Sequence, residues 1–244
     1  MSLAVGVFDG VHRGHQELLN RAVADAVELD HGIPAVLTFD PNPARLTRPE
    51  SYLGDLSTRR LRLDLFAKQG IEEAILVEFD ERFATIRGYD FLERIMTIFP
   101  YLRLIVVGYD FHLGYQRDVH AAELSRWMAR RGVRVDIVPA LKDNTGSISS
   151  SRIRRAVAVG DLELAASLLG RPYTVAVDNG LPSHRDDIAQ LLPPPGTYTC
   201  EFVQEDSNRE GMIRISRNGI LRWEPVLTDT QYVLLRRATH VDDS

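Results

Sequence analysis

Two histidines three residues apart, His12 and His15, stand in the stretch Gly6-Val7-Phe8-Asp9-Gly10-Val11-His12-Arg13-Gly14-His15. The apolar run Leu3 to Val7 ends at a glycine-bearing turn, and helical periodicity begins directly after it, so a strand hands over to a helix at the histidines. A helix N-terminus offers unpaired amides and the positive end of the helix dipole. At i, i+3 both imidazoles share one face of the first turn and can meet one phosphate. Gly6 allows close backbone approach, and Phe8-Asp9-Gly10 supplies the turn. A plainer reading stands beside this one, in which His12 caps the helix and His15 packs against the sheet. The strand–turn–helix setting favours the phosphate reading. A second segment, Ile148-Ser149-Ser150-Ser151-Arg152-Ile153-Arg154-Arg155, starts a helix with hydroxyls at its cap and arginines in its first turns. Arginine suits a helix C-terminus better, so an anion is expected between them. Taken alone, such a segment reads as a capped, solvated helix start.

The elements that must position these groups alternate. Leu18, Leu19, Ala22, Val23, Ala26 and Val27 recur at helical spacing in a helix expected over Arg13 to Leu29, and Pro34 to Phe39 reads as a buried strand. Asp40 to Leu56, with three prolines, reads as a long loop, and long loops tend to be functional. Ser57 is expected to cap a helix ending at Gly70, before a strand over Ala74 to Phe79. A helix over Tyr89 to Phe99, a strand Leu104 to Val107 ending at Gly108, a helix bearing Leu124, Trp127 and Met128, and a strand Val133 to Val138 follow. Strands alternating with helices imply an α/β fold with a Rossmann-like, doubly wound parallel sheet. Ligands of such sheets bind beyond the carboxyl ends of the strands, where Asp9 to His15, Phe39 to Pro43 and Tyr109 to Gly114 all fall. Asp161 caps a further helix ending at Gly170. After Tyr173 the runs shorten and alternate, at Thr197 to Val203, Met212 to Ser216 and Tyr232 to Arg236, which predicts a small β-rich domain. The division is placed between residues 1–172 and 173–244.

Composition bounds the partners. Of 244 residues, 44% are hydrophobic and 26% charged, the balance of an ordinary globular chain. With 29 basic and 34 acidic residues the net charge is −5, so no overall basic field argues for nucleic acid, and an anionic substrate must be held by local groups. Cys200 is the single cysteine, which excludes an internal disulfide framework and makes a reducing, cytoplasmic setting the expectation. No membrane span or signal peptide is read. Small-molecule partners are expected, and no signal for oligomeric state is found. His112, His120, His184 and His240 lack ligand spacing and are expected at the surface, as is the basic run Arg59, Arg60 and Arg62.

Four segments occur in order: GVFDGVHRGH at residues 6–15, TFDPNP at 38–43, VVGYDFHLG at 106–114, and ISSSRIR at 148–154 leading to GDLELAASLLGRPY. Over about Leu3 to Tyr173 the chain resembles the prokaryotic FAD synthetases, the usually bifunctional riboflavin kinase/FMN adenylyltransferases. The resemblance implies a nucleotidylyltransferase fold that transfers AMP from ATP to FMN, giving FAD and pyrophosphate. It implies phosphate-handling roles for His12, His15, Ser150, Ser151 and Arg154. It sets Gly6, Phe8, Asp9, Gly10, Gly14, Phe39, Asn42, Gly108, Tyr109, Asp110 and Phe111 around ATP and flavin, with Asp110 where members carry Asn or Asp. Such chemistry needs an in-line attack on the α-phosphorus and stabilisation of phosphoryl charge, with no covalent nucleophile. Mg²⁺ would bridge phosphate oxygens, and no protein ligand is assigned to it. Phe39, Tyr109 and Phe111 read equally well as core or rim aromatics and as flavin-stacking rings.

Two departures from the family pattern stand out. Pro41-Asn42-Pro43 replaces the usual Pro-His-Pro, and asparagine can hydrogen-bond but cannot carry charge. After GRPY, the glycine-rich segment running into Pro-Thr-Ala-Asn that marks the kinase barrel is replaced by Val175-Ala176-Val177-Asp178-Asn179-Gly180-Leu181-Pro182-Ser183-His184. The tail is also short for a complete kinase domain, and only Leu192 to Cys200 resembles a strand of it. A degenerate barrel without kinase activity is therefore expected. The alternatives are a non-catalytic flavin- or nucleotide-binding regulator and another adenylyl- or cytidylyltransferase of the superfamily.

Overall fold

The computed structural model describes residues 1–28, 31–177 and 181–241. Two compact units form, one from Met1–Tyr52 with Leu63–Ser147, the other from Leu53–Arg62 with Ile148–Ser244. The units therefore do not follow a division at residues 172 and 173: the segment 53–62 and the helices after Ile148 group with the β-rich part.

The first unit runs β1 (Ser2–Val5), α1 (Arg13–Val27), β2 (Pro34–Asp40), α2 (Ala44–Thr47), then α3 (Arg59–Lys68), which begins in the other unit. It continues through β3 (Glu73–Glu78), α4 (Gly88–Ile98), β4 (Leu104–Gly108), a short hairpin of β5 (His112–Leu113) and β6 (Val119–His120), α5 (Ala121–Ala129), β7 (Arg134–Val138), and a hairpin of β8 (Lys142–Asp143) and β9 (Gly146–Ser147). Five strands pair in the order β3-β2-β1-β4-β7, all parallel. Successive side chains of a strand face opposite ways, and here both faces are buried. Leu3 and Val5 join Leu37, Ile105, Phe91 of α4 and Leu124 of α5. Ala4 joins Val36, Val106, Leu19 of α1 and Phe66 of α3. Helices thus cover both faces of a doubly wound sheet, as the continuous aliphatic strands predict.

Local chemistry sets the ends of the helices. Thr58, not Ser57, caps α3, its Oγ1 accepting from the Leu61 amide at 3.2 Å; Ser57 is buried instead. The loop expected over residues 40–56 contains α2 and one 3₁₀ turn at Pro49–Ser51. α1 is helical to Val27, and the expected end at Leu29 lies outside the described residues.

The second unit carries α6 (Ser150–Ala158), α7 (Leu162–Leu169) and the strands β10 (Tyr173–Ala176), β11 (Gly196–Val203), β12 (Asn208–Ile215), β13 (Leu221–Glu224) and β14 (Tyr232–Val241). Asp161 caps α7 by accepting from the Leu164 amide at 2.9 Å, and Gly170 ends it in the left-handed conformation. The strands form one antiparallel sheet in the order β10-β14-β11-β12-β13. β11 alternates buried and half-buried positions along its length, the pattern of a sheet with one covered face. β10 and β13, four residues each, are too short to announce themselves by alternation.

β10 is an edge strand, and the buried side chain of Gln190 completes it. Gln190 Oε1 accepts from the Ala176 amide at 2.7 Å, and Nε2 donates to the carbonyls of Thr174 at 2.9 Å and Leu56 at 2.8 Å. A side-chain amide thus imitates the next strand and holds the segment 53–62. Gln190→Ala leaves buried backbone groups without these bonds, each costing about 1–3 kcal/mol, and is expected to lower unfolding free energy by at least about 2 kcal/mol in urea titration. Burial pushes the Cys200 thiol up to about 12. The thiolate is the reactive form, so Cys200 is expected to resist iodoacetamide at pH 8 in the folded protein and to be alkylated once the chain is unfolded.

Candidate active site

The turn between β1 and α1 is built from backbone conformations that most residues avoid. Phe8 (φ 53°), Gly10 (φ 78°) and Val11 (φ 41°) are all left-handed. Glycine adopts this freely, whereas a β-branched residue there is strained. Both non-glycine residues are fully buried, so packing holds the turn. Val11 N–H donates to the Phe8 carbonyl at 3.0 Å, and Gln16 Nε2 donates to the Val11 carbonyl at 3.0 Å. Gly6 serves a close approach, but of the protein to itself: a Cβ there would lie 3.2 Å from the Phe8 ring. That ring packs edge-on against Phe66 at 5.7 Å and His15 at 5.2 Å between centroids.

This turn delivers His12 in extended conformation (φ −72°, ψ 170°) as the N-cap of α1, its Nδ1 accepting from the His15 amide at 3.2 Å. An accepting Nδ1 carries no proton, so in the neutral ring the proton sits on Nε2. The His12 and His15 rings stack at 3.6 Å between centroids and 16° between planes. His12 thus caps the helix through one nitrogen, as the plainer reading has it, and the two imidazoles stand together on its first turn, the placement expected from their spacing. Gly14 falls within that same turn.

The neighbouring strand ends add polar groups. Thr38 Oγ1 donates to the Val7 carbonyl at 2.8 Å, tying β2 to the turn. Asp9 and Asn42 are both buried and meet across the two loops, Asn42 Nδ2 lying 3.5 Å from Asp9 Oδ2, while Asn42 Oδ1 accepts from the Ala44 amide at 3.1 Å. Asn42 thus holds the entry to α2 as well as the Asp9 carboxylate. Beyond β4, the Tyr109 amide donates to the Val138 carbonyl at 2.9 Å and the Phe111 amide to the Gly108 carbonyl at 3.1 Å. A Cβ on Gly108 would lie 3.2 Å from Asp110 Oδ1.

The three aromatics separate. Phe39 is buried in a cluster with Phe79, Phe83 and Phe91, which makes it a core residue. Phe111 is half-buried against the same core. Tyr109 is 55% exposed, the most exposed of the three. All three loops follow carboxyl ends of parallel strands, and those after β1 and β4 flank the point where strand order reverses, the usual ligand crevice of such a sheet.

In the second unit, Ser149 rather than Ser150 or Ser151 is the cap of α6, its Oγ accepting from the Arg152 amide at 3.3 Å. Ser150 is half-buried and Ser151 exposed in the first turn. Arg154 is buried and donates from Nε to the Gly54 carbonyl at 2.8 Å. Of the basic run expected at the surface, Arg59 and Arg60 are exposed, Arg60 lying over the Tyr232 ring at 5.7 Å. Arg62 is only 4% exposed, a correction that no local pattern announced. The side chain of His240 lies outside the described residues.

Residues 1–152 match the protein family described as FAD synthetase. An FAD synthetase of Listeria monocytogenes is 32% identical over 219 residues, covering 88% of this chain and 84% of that protein. A bifunctional riboflavin kinase/FMN adenylyltransferase of Pseudomonas fluorescens is 32% identical over 192 residues, 78% of this chain but only 60% of its own length. In structure, a macrolide-efflux protein of Streptococcus pneumoniae, 25% identical, matches with a TM-score of 0.80 over 100% of this chain and 86% of that one. Among the described residues no helix is long and apolar enough to cross a membrane.

The capping role of His12 can be read on its own. Asparagine is among the best N-caps and alanine among the poorest. His12→Ala is expected to cost about 1 kcal/mol of stability, and His12→Asn to recover most of that loss, as read from paired thermal melts.

Proposed function

Since the chain belongs to the FAD synthetase family, we propose that it is an ATP:FMN adenylyltransferase. A phosphate oxygen of FMN attacks the α-phosphorus of ATP, the bond to the bridging oxygen of the β-phosphate breaks, and pyrophosphate leaves as FAD forms. The observation that carries this reading is the stacked His12–His15 pair on the first turn of α1. His12 Nε2–H is a neutral donor set at a helix N-terminus, and His15 stands beside it. Together with the first amides of α1 they suit the phosphoryl oxygens on which charge develops. Ser150, Ser151 and Arg154 are assigned to the triphosphate as part of the same proposal. Tyr109 is assigned to ring stacking, Asp110 and Asn42 to polar contacts of the substrates, and Gly6, Gly10, Gly14, Gly108, Phe8 and Asp9 to the shape of the loops. Phe39 and Phe111 support those loops from the core.

Mg²⁺ is assigned, as part of the same proposal, to the substrate MgATP, ligated by phosphate oxygens and water. Residues 173–244 are proposed to have no phosphorylating role, on the ground of the sequence that replaces the kinase segment, and the enzyme would draw on FMN made elsewhere. A cytoplasmic location belongs to the same proposal.

The test incubates the protein with MgATP and either FMN or riboflavin and separates the flavins. FAD is expected from FMN and no FMN from riboflavin. His15→Ala is expected to lower FAD formation by about 10²–10³-fold, the scale of losing one oxyanion donor, and His12→Asn to do the same while melting near the wild type. Binding of both substrates without release of pyrophosphate would overturn the catalytic reading.

A further inference from the structure

We infer that His112 and His120 form a binding site for a borderline divalent transition-metal cation of the Zn²⁺, Ni²⁺ or Cu²⁺ class. Eight residues apart in sequence, they are direct cross-strand partners on β5 and β6, with ring centroids 4.7 Å apart and planes at 90°. Both are exposed, whereas their neighbours Leu113 and Val119 are buried beneath. The alternation of the strands therefore directs both imidazoles to solvent.

The hairpin holding them is fixed at its far end. Asp118 Oδ1 accepts from the Gly88 amide at 2.9 Å, and the Tyr115 amide donates to the Ile86 carbonyl at 2.8 Å. Gly114 (φ 83°), Gln116 (φ 54°) and Arg117 (φ 60°) make the tight reversal, and a Cβ at Gly114 would collide with Asp118 Oδ1.

The protonation of His112 suits ligation. Its Nδ1 contacts the Asp110 carbonyl, and a carbonyl only accepts, so Nδ1 bears the proton and Nε2 presents a lone pair. An N–H donated to a backbone carbonyl is the outer-shell arrangement that orients metal-binding imidazoles. His120 turns its side chain toward the Glu123 amide in the capping box of α5, so it ligates by turning its ring out of that cap contact; with metal–nitrogen bonds of about 2.0–2.1 Å, both Nε2 atoms then reach one ion, water completing the shell. Paired imidazoles select Zn²⁺, Ni²⁺ and Cu²⁺ over Mg²⁺, which prefers oxygen. The site is therefore chemically distinct from any Mg²⁺ that accompanies ATP, and it does not depend on the adenylyl-transfer reading.

The experiment titrates the full chain with Zn²⁺ in excess Mg²⁺, following the imidazole signals by NMR and the stoichiometry by calorimetry. Asparagine at 120 keeps an N-cap residue for α5, so the variants are His112→Gln and His120→Asn, with His12→Asn to mark any Zn²⁺ taken by the other histidine pair. The expected result is a Zn²⁺ equivalent that shifts the signals of His112 and His120 together, is weakened at least about tenfold in each of the two hairpin variants, and persists in His12→Asn. Zn²⁺ binding that is the same in wild type and both hairpin variants, or signals of His112 and His120 unmoved by Zn²⁺, would overturn the inference.

Discussion

The bond from the His15 amide to His12 Nδ1 ties the candidate site of this protein to its core. It can form only if His12 is extended just before the helix starts, and the left-handed turn through Phe8, Gly10 and Val11 is what sets that geometry. Two non-glycine residues in that region cost of order 1–3 kcal/mol each. Burying a Phe or Val side chain returns about 1.5–3 kcal/mol, and both Phe8 and Val11 are fully buried. The strain is thus of the same size as the packing that offsets it, and the turn survives because the core beneath it is complete. Phe8 also supplies the ring under His15, so one aromatic both anchors the backbone and braces a candidate catalytic side chain.

The second unit relies on polar rather than apolar staples at its critical join. Gln190 and Arg154 both spend side-chain donors on carbonyls of the segment 53–62, at Leu56 and Gly54. The amide is neutral and fully used, which is the favourable way to bury a polar group. The guanidinium is a charged group in a buried position, with Nε committed to the Gly54 carbonyl. A lysine there would keep the charge but lose the rigid planar fork.

Much of this was legible in the chain. β1, β2 and β4 are continuous aliphatic runs because both their faces are buried, and the histidine spacing places two rings on one helical turn whatever the rest does. What escaped depends on partners distant in sequence. Arg62 looks like one more cation in a basic run, yet the folded chain buries it. His112 and His120 show no ligand spacing along the chain, because a hairpin of two-residue strands creates their adjacency. Ser57 and Thr58 offer equivalent caps, and the choice follows from which side chain the core takes in. Phe39 could not be sorted from Tyr109 by residue type, since the difference is whether Phe79, Phe83 and Phe91 close over the ring.

The route of the chain through its two units has a consequence for how the protein is made. Segment 53–62 is synthesised early, yet its anchors, Arg154, Gln190 and the Leu191 amide that donates to Asp55, are synthesised much later. Domains tend to form as they emerge from the ribosome, and the strands of the parallel sheet are all available once Val138 has appeared. The early segment must then wait, tethered through α3 to a sheet that can already assemble, until the polypeptide has grown past Gln190. Vectorial synthesis therefore finishes this protein out of order, with a piece of its first quarter among the last to be secured.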